Sequence, residues 1–73
     1  MPPVPIIRPA DCIRALERLG WKGSRQSGSH LTMTAGDGRI LVVPIHTGTL
    51  PRGTLRSIIR MAGVTVELFV ERL

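Results

Sequence analysis

Hydrophobic residues change their spacing three times along this chain, and the first spacing predicts a helix over residues 9–19. Apolar side chains recur there every three or four residues, as on one face of a helix, at Cys12, Ile13, Leu16 and Leu19. Pro9 suits the first turn of a helix, and Asp11 favours its positive end. Gly20 then ends the helix.

The second spacing is an alternation of apolar and polar residues, which predicts β-strands. Residues 30–34 alternate in this way, and residues 35–38, Ala-Gly-Asp-Gly, form a turn into an apolar strand over residues 39–43. Residues 21–27 supply a third strand, which is weaker because glycine and serine have poor strand propensity. We therefore expect a three-stranded antiparallel sheet.

Helical spacing returns after a loop that carries His46. The apolar stripe of this second helix consists of Leu55, Ile58, Ile59 and Ala62. Gly63 closes the helix, and Thr65 caps a short final helix. The apolar face expected for that final helix consists of Val66, Phe69, Val70 and Leu73. The predicted fold class is α+β, in the order helix, three-stranded sheet, helix and short C-terminal helix, with the helices on one face of the sheet.

Length and charge limit what the chain can do. Its 73 residues make one domain, which we place at residues 9–73, after an extended proline-rich arm over residues 1–8. Ten basic residues outweigh five acidic ones, for a net charge of +5, and nine of the ten are arginines. Because arginine binds phosphate or carboxylate through paired hydrogen bonds, the expected partner is nucleic acid or an acidic protein.

The number of cysteines and the hydropathy of the chain indicate the cellular compartment. Cys12 is the single cysteine, which excludes an internal disulfide and a zinc site built from several thiolates. The chain starts without a charged leader and contains no apolar run of about 18 residues. We therefore expect a cytoplasmic protein without a membrane segment and without a bound metal or other cofactor.

Two histidines are the candidates for proton transfer, because the five carboxylates include no pair at a recognisable acid/base or metal-binding spacing. His30 opens a strand on the polar face that it shares with Thr32 and Thr34, where an exposed imidazole exchanges protons near neutral pH. The alternative is an ordinary surface histidine. His46 is either a second acid or base or, as we favour, a residue that holds its loop through a backbone hydrogen bond.

Five short motifs occur in order along the chain: Leu19-Gly20-Trp21, Arg25-Gln26-Ser27, Gly28-Ser29-His30, Val43-Pro44-Ile45-His46, and the helix over residues 53–63. Together they resemble the HicA family of bacterial toxins, and the resemblance spans nearly everything from Asp11 to the end. The family often has an aromatic residue or a second histidine just after its active histidine, where this chain has Leu31, Thr32 and Met33. The arm through Ile7 is also longer than usual.

The resemblance implies a fold like that of double-stranded RNA-binding domains. It also implies an endoribonuclease, or mRNA interferase, that cleaves messenger RNA without a metal and is neutralised by a HicB antitoxin. The family's active histidine falls on His30. Such cleavage is chemically reasonable, because RNA carries its own nucleophile, the 2′-hydroxyl, and needs a base, an acid and cations around the phosphate.

Further residues are assigned around His30 on this hypothesis. Lys22, Arg25 and Arg39 are candidate phosphate clamps on or beside the sheet. Ser29 either donates a hydrogen bond to phosphate or stabilises the turn. Trp21 either stacks on a base or, as we favour, belongs to the core.

An arginine stripe on the second helix consists of Arg52, Arg56 and Arg60, which recur at intervals of four. It is either a solvated face or a docking site for RNA phosphates or antitoxin carboxylates, since Arg52 lies near a helix start that favours anions.

Two other classes of protein stay open. One is an RNA-binding module of the same fold without catalysis. The other, less favoured, is a helix-turn-helix DNA regulator built from residues 58–62 and 65–73 around Gly63. Its recognition helix would face phosphates with Glu67 and Glu71 against Arg72, and the sheet has no place in that scheme.

Overall fold

A computed structural model describes residues 3–73 of the chain. The elements in chain order are α1 (Pro9–Arg18), β1 (Lys22–Ser27), β2 (His30–Thr34), β3 (Ile40–Pro44), α2 (Arg52–Ala62) and α3 (Val66–Glu71). The strands form one antiparallel sheet in the order β1-β2-β3, and both α1 and α2 contact β3. This is the α+β, double-stranded RNA-binding-domain-like fold that the sequence predicts.

The ends of α1 follow local sequence. Pro9 is its first residue, and the Asp11 carboxylate accepts a hydrogen bond from the backbone N–H just before the helix, at 3.3 Å. Gly20 follows the helix with a left-handed φ of +98°, and the Trp21 N–H donates to the Leu16 carbonyl at 2.9 Å. Because other residues are strained at this φ, glycine ends the helix as predicted.

The sheet has one face packed on the helices and one open face. Met33, Leu41 and Val43 are buried on the helix side. Side chains alternate across a strand, so His30 and every second residue after it in β2 lie on the open side. Trp21, just before β1, is buried with the core residues, as we favoured from the sequence.

The second helix buries its predicted stripe, which consists of Leu55, Ile58, Ile59 and Ala62. Gly63 then adopts a left-handed φ of +75° and ends α2, as expected. The Thr65 hydroxyl accepts a hydrogen bond from the Leu68 N–H at 3.1 Å, which confirms Thr65 as the cap of α3.

The apolar face predicted for α3 is partly wrong. Phe69 is fully buried, but Val70 and Leu73 are 43% and 42% exposed. The helix α3 has only six residues, and the side of it that carries Phe69 packs against α1 and α2. Val70 lies on another side of the helix, and Leu73 lies beyond its end.

Residues 3–8, the part of the N-terminal arm that the structure describes, pack on the domain. Val4 is 3% exposed and belongs to the hydrophobic core, and the Ile7 carbonyl accepts a hydrogen bond from the Leu50 N–H at 2.8 Å. Residues 3–8 contain no helix or strand, in keeping with the extended backbone expected for prolines. Val4 and Ile7 of the arm therefore contribute contacts to the domain that we place at residues 9–73.

Candidate functional site

His30 is held at the end of the sheet by a tight turn. It is the first residue of β2, it is exposed, and its neighbours across the sheet are Ser27 and Pro44. The turn that joins β1 to β2 consists of Gly28 and Ser29, and Gly28 has a φ of +57°. Glycine tolerates this left-handed conformation without strain, which allows a two-residue turn to place the histidine at the strand start.

The chain after β3 is tied to the same turn. The Ser29 carbonyl accepts a hydrogen bond from the Ile45 N–H. His46 follows directly and is exposed, and its Nδ1 lies 3.0 Å from the Thr47 carbonyl oxygen. Because a carbonyl oxygen only accepts hydrogen bonds, Nδ1 donates here, which is the kind of loop contact we favoured for His46. Both histidines thus belong to one end of the sheet.

Two cations share the open face with His30. Arg25 pairs with Thr32 and Lys22 pairs with Thr34, so they lie two and four positions along β2 from His30. These offsets correspond to roughly 7 and 13 Å along the strand. Both side chains belong to exposed residues, and neither takes part in the ion pairs found within residues 3–73. The open face therefore carries uncompensated positive charge that extends away from the histidine.

A bulge in β1 shapes this face. The register between β1 and β2 shifts between Gly23 and Arg25, which leaves Ser24 outside the regular pairing. The Ser24 hydroxyl donates to the Thr32 carbonyl at 3.2 Å and accepts from the Thr34 hydroxyl at 3.0 Å. These bonds fix the segment of β1 between the two cations.

Apolar residues complete the open face, and the sequence analysis missed them. Ile40 and Val42 of β3 are 56% and 44% exposed and lie opposite Thr34 and Thr32. The signal is present in the sequence, because β3 is apolar at every position and so has aliphatic side chains on both faces. This strand offers an aliphatic surface beside the cations.

Arg39 differs from the other proposed phosphate clamps. Its Nε donates to the Asp37 carboxylate at 2.8 Å, its guanidinium lies 5.4 Å from the Trp21 ring centre, and its Nη1 lies 3.4 Å from the Ala62 carbonyl. Arg39 also precedes Ile40, at the opposite end of β3 from Pro44 and therefore from His30. The structure does not bring Arg39 to the histidine.

The Asp37 carboxylate is stabilised by the same arginine. It accepts a hydrogen bond from the Arg39 N–H at 3.1 Å, and this bond, with the charged side chain beside it, lowers the pKa of Asp37 below its ordinary value. Arg39 therefore fastens the turn between β2 and β3 to the end of α2.

The described part of the chain offers neither a metal-binding cluster nor a membrane-spanning helix. No group of three or more histidine, cysteine, aspartate or glutamate side chains comes together within residues 3–73. The same residues include no helix with the length and apolar character needed to span a bilayer.

Comparison with known protein families identifies the family of this chain. A family model described as the HicA toxin of bacterial toxin-antitoxin systems matches residues 9–64, from the start of α1 to just beyond α2. The chain belongs to the HicA toxin family. Comparison with curated proteins gave no significant match. A HicA toxin works in a toxin–antitoxin system, so an antitoxin is a partner of this chain.

The candidate residues of this HicA toxin fall on two surfaces. Lys22, Arg25, Ser29 and His30 belong to the open face of the sheet or to the turn at its end. Arg52, Arg56 and Arg60 are exposed on α2, which packs on the other face. The arginine stripe therefore belongs to the helical layer, and the histidine belongs to the open face of the sheet.

Proposed function

We propose that this HicA toxin is an endoribonuclease that cleaves messenger RNA in the cytoplasm by metal-independent phosphodiester transfer, with His30 as the proton carrier. We also propose that a HicB-type antitoxin neutralises it. The observation that supports the activity most is the placement of His30, exposed at a strand start, in line with Arg25 and Lys22 on one open face. A histidine beside cations supplies an acid or base and positive charge around the phosphate, two of the contributions that RNA cleavage through the 2′-hydroxyl uses.

The chemistry assigns one proton transfer to His30. A neutral imidazole accepts the proton of the 2′-hydroxyl as its oxygen bonds to phosphorus, and the bond from phosphorus to the next 5′-oxygen breaks. The departing oxygen takes a proton from the imidazolium or from water. The products are a 2′,3′-cyclic phosphate and a free 5′-hydroxyl end. In the reverse assignment, His30 starts protonated and donates its proton to the leaving 5′-oxygen.

Neighbouring residues would hold the phosphate during this transfer. Arg25 is the cation nearest to His30 along the strand, and its guanidinium suits a bidentate contact with phosphate. Lys22 lies further along the same face and would bind a phosphate beyond the cleaved one. Ser29 lies in the exposed turn next to His30, and its hydroxyl would donate a hydrogen bond to RNA.

The test is cleavage of a 5′-labelled RNA oligonucleotide of mixed sequence, with the product ends identified by mass spectrometry. We expect His30→Ala to lower the cleavage rate at least about 100-fold, since a positioned acid or base contributes about 10²–10⁴-fold. Its melting temperature should stay unchanged because the side chain is exposed. Undiminished cleavage by His30→Ala would show that the histidine does not carry the proton.

Two controls accompany this test. His46→Ala should keep cleavage within a few-fold, because the contact of His46 with the Thr47 carbonyl serves the loop. Excess chelator should leave the rate unchanged, and a loss that magnesium restores would contradict metal-independent transfer.

An RNA-binding module without catalysis is the second candidate function, because the same cationic face would hold RNA by its phosphates. It is distinguished by tight RNA binding without any cleaved product from the unmodified protein. The three-stranded sheet and the HicA match both argue against a helix-turn-helix DNA regulator.

A further inference from the structure

A groove lies between α2 and the start of α3, on the helical side of the molecule. Its volume is about 300 Å³, and Ile59, Val64 and Val66 form an apolar floor that is buried or half-buried. The exposed residues Arg56 and Arg60 line it from α2, and Glu67 lines it from α3. The groove therefore combines an aliphatic surface with two guanidinium groups.

We propose that this groove docks a short acidic segment of the antitoxin, in which one or two aliphatic side chains enter the floor and carboxylates meet Arg56 and Arg60. The proposal deepens the antitoxin partnership named above. It does not depend on the ribonuclease activity, because the groove shares no residue with the open face of the sheet.

Charge supports an acidic occupant. Arg56 and Arg60 are one helical turn apart on α2, a helix without any acidic residue. The ion pairs found within residues 3–73 join Arg14 to Asp11 and Arg39 to Asp37, so neither groove arginine is neutralised in this way. Two free guanidinium groups beside one glutamate leave the groove with a net positive charge, which favours carboxylates.

The apolar floor of the groove favours a protein segment, rather than RNA, as its occupant. Its side chains are aliphatic, and none of the residues that line it is aromatic, so bases find no ring on which to stack. Aliphatic side chains of a protein segment, by contrast, bury their surface against isoleucine and valine, while flanking carboxylates reach the arginines.

The groove and His30 lie on different sides of the sheet, so their functions can be tested separately. The groove lies in the helical layer, and His30 lies on the open face on the other side of the sheet. An antitoxin segment in the groove therefore holds the toxin without touching the histidine. Substitutions in the groove should weaken antitoxin binding and leave RNA cleavage unchanged.

The test measures the kinetics of binding to the immobilised antitoxin encoded by the neighbouring reading frame. The double variant Arg56→Gln with Arg60→Gln should raise the dissociation constant at least tenfold, mainly through faster dissociation. The matched control, Arg8→Gln with Arg14→Gln, removes two exposed positive charges outside the groove and outside α2, and should change the constant less than threefold. A second variant, Val66→Thr, keeps the shape of the floor but adds a hydroxyl, and should weaken binding three- to tenfold.

The outcomes separate the hypotheses. Equal weakening by the two double variants would show that only overall charge matters and would overturn the groove. Unchanged antitoxin binding with slower RNA cleavage would assign the arginines to RNA and overturn it too. If the unmodified toxin does not bind that antitoxin, the partnership in the proposed function fails and the groove with it. Weaker antitoxin binding with unchanged cleavage and melting temperature supports the proposal.

Discussion

Arg39 shows how a single residue can take its role from the tertiary structure. In the sequence it is one of nine arginines and precedes a strand, so it looks like a phosphate clamp. In the structure it contacts Asp37, the Trp21 ring and the end of α2, and an added Cβ at Gly63 would lie 2.8 Å from its guanidinium. The contacts with Trp21 and with the end of α2 join residues that are far apart in the chain, and local spacing contains no information about them.

Cys12 gives a prediction at the same scale. The side chain is fully buried, and this burial raises the pKa of the thiol from 9.0 to about 12. Above pH 9 the unfolded chain loses the thiol proton while the folded chain keeps it, so the free energy of unfolding falls as pH rises from 9 towards 12. We expect a loss of about 2 kcal/mol by pH 10.5, since each pH unit in this window contributes about 1.4 kcal/mol.

Urea unfolding followed by Trp21 fluorescence between pH 8 and 10.5 measures this loss. The chain has no tyrosine and one lysine, so few other groups titrate in the window. Cys12→Ala is the control, and its stability should vary much less over the same range. Parallel pH profiles for the two proteins would show that the thiol titrates normally in the folded state.

At the scale of elements, periodicity predicted most of the fold. Helical spacing located α1 and α2, and the glycines at positions 20 and 63 end them because both adopt a left-handed φ. Alternation located β2, and its polar positions correctly placed His30 on the open face. Local pattern did not show which aliphatic residues of α3 and β3 stay exposed, because that depends on which neighbours cover each side. The separation of the arginine stripe from His30 likewise depends on how the helices pack.

The order of cations along β1 gives a prediction at this scale. Arg25 is about half as far from His30 along the sheet as Lys22. If RNA follows the open face, Arg25 contacts the reacting phosphate and Lys22 contacts a neighbouring one. Arg25→Gln should therefore lower kcat about tenfold, whereas Lys22→Gln should raise KM two- to fivefold with kcat nearly unchanged.

Steady-state kinetics on an RNA oligonucleotide separate the two effects. Arg14→Gln removes the same charge from α1, on the helical side of the sheet, and serves as the control that leaves both constants unchanged. Identical changes in all three variants would mean that net charge alone steers RNA and that the strand does not order its phosphates.

The two surfaces to which we assign functions lie on opposite sides of one small core. The open face of the sheet carries the histidine and its cations, and the helical layer carries the arginine-rimmed groove. Both depend on a core that includes the N-terminal arm, since Val4 packs into it and the arm is bonded to Leu50 just before α2. A chain of 73 residues has a small margin of stability, so each buried side chain counts.

The arm therefore gives a prediction for the whole fold. Val4→Ala removes two methyl groups from a position that is 3% exposed, and should lower the free energy of unfolding by about 2 kcal/mol. For a domain of this size, that corresponds to a fall in Tm of roughly 8–16 °C.

Ile6→Ala is the matched control, because Ile6 lies two residues away in the same arm and is 65% exposed. The Tm of this variant should fall by about 2 °C or less. Thermal unfolding followed by circular dichroism compares the two. Equal, small shifts would mean that the arm does not contribute to the core, whereas a large shift for Val4→Ala alone would make the arm part of the folded toxin.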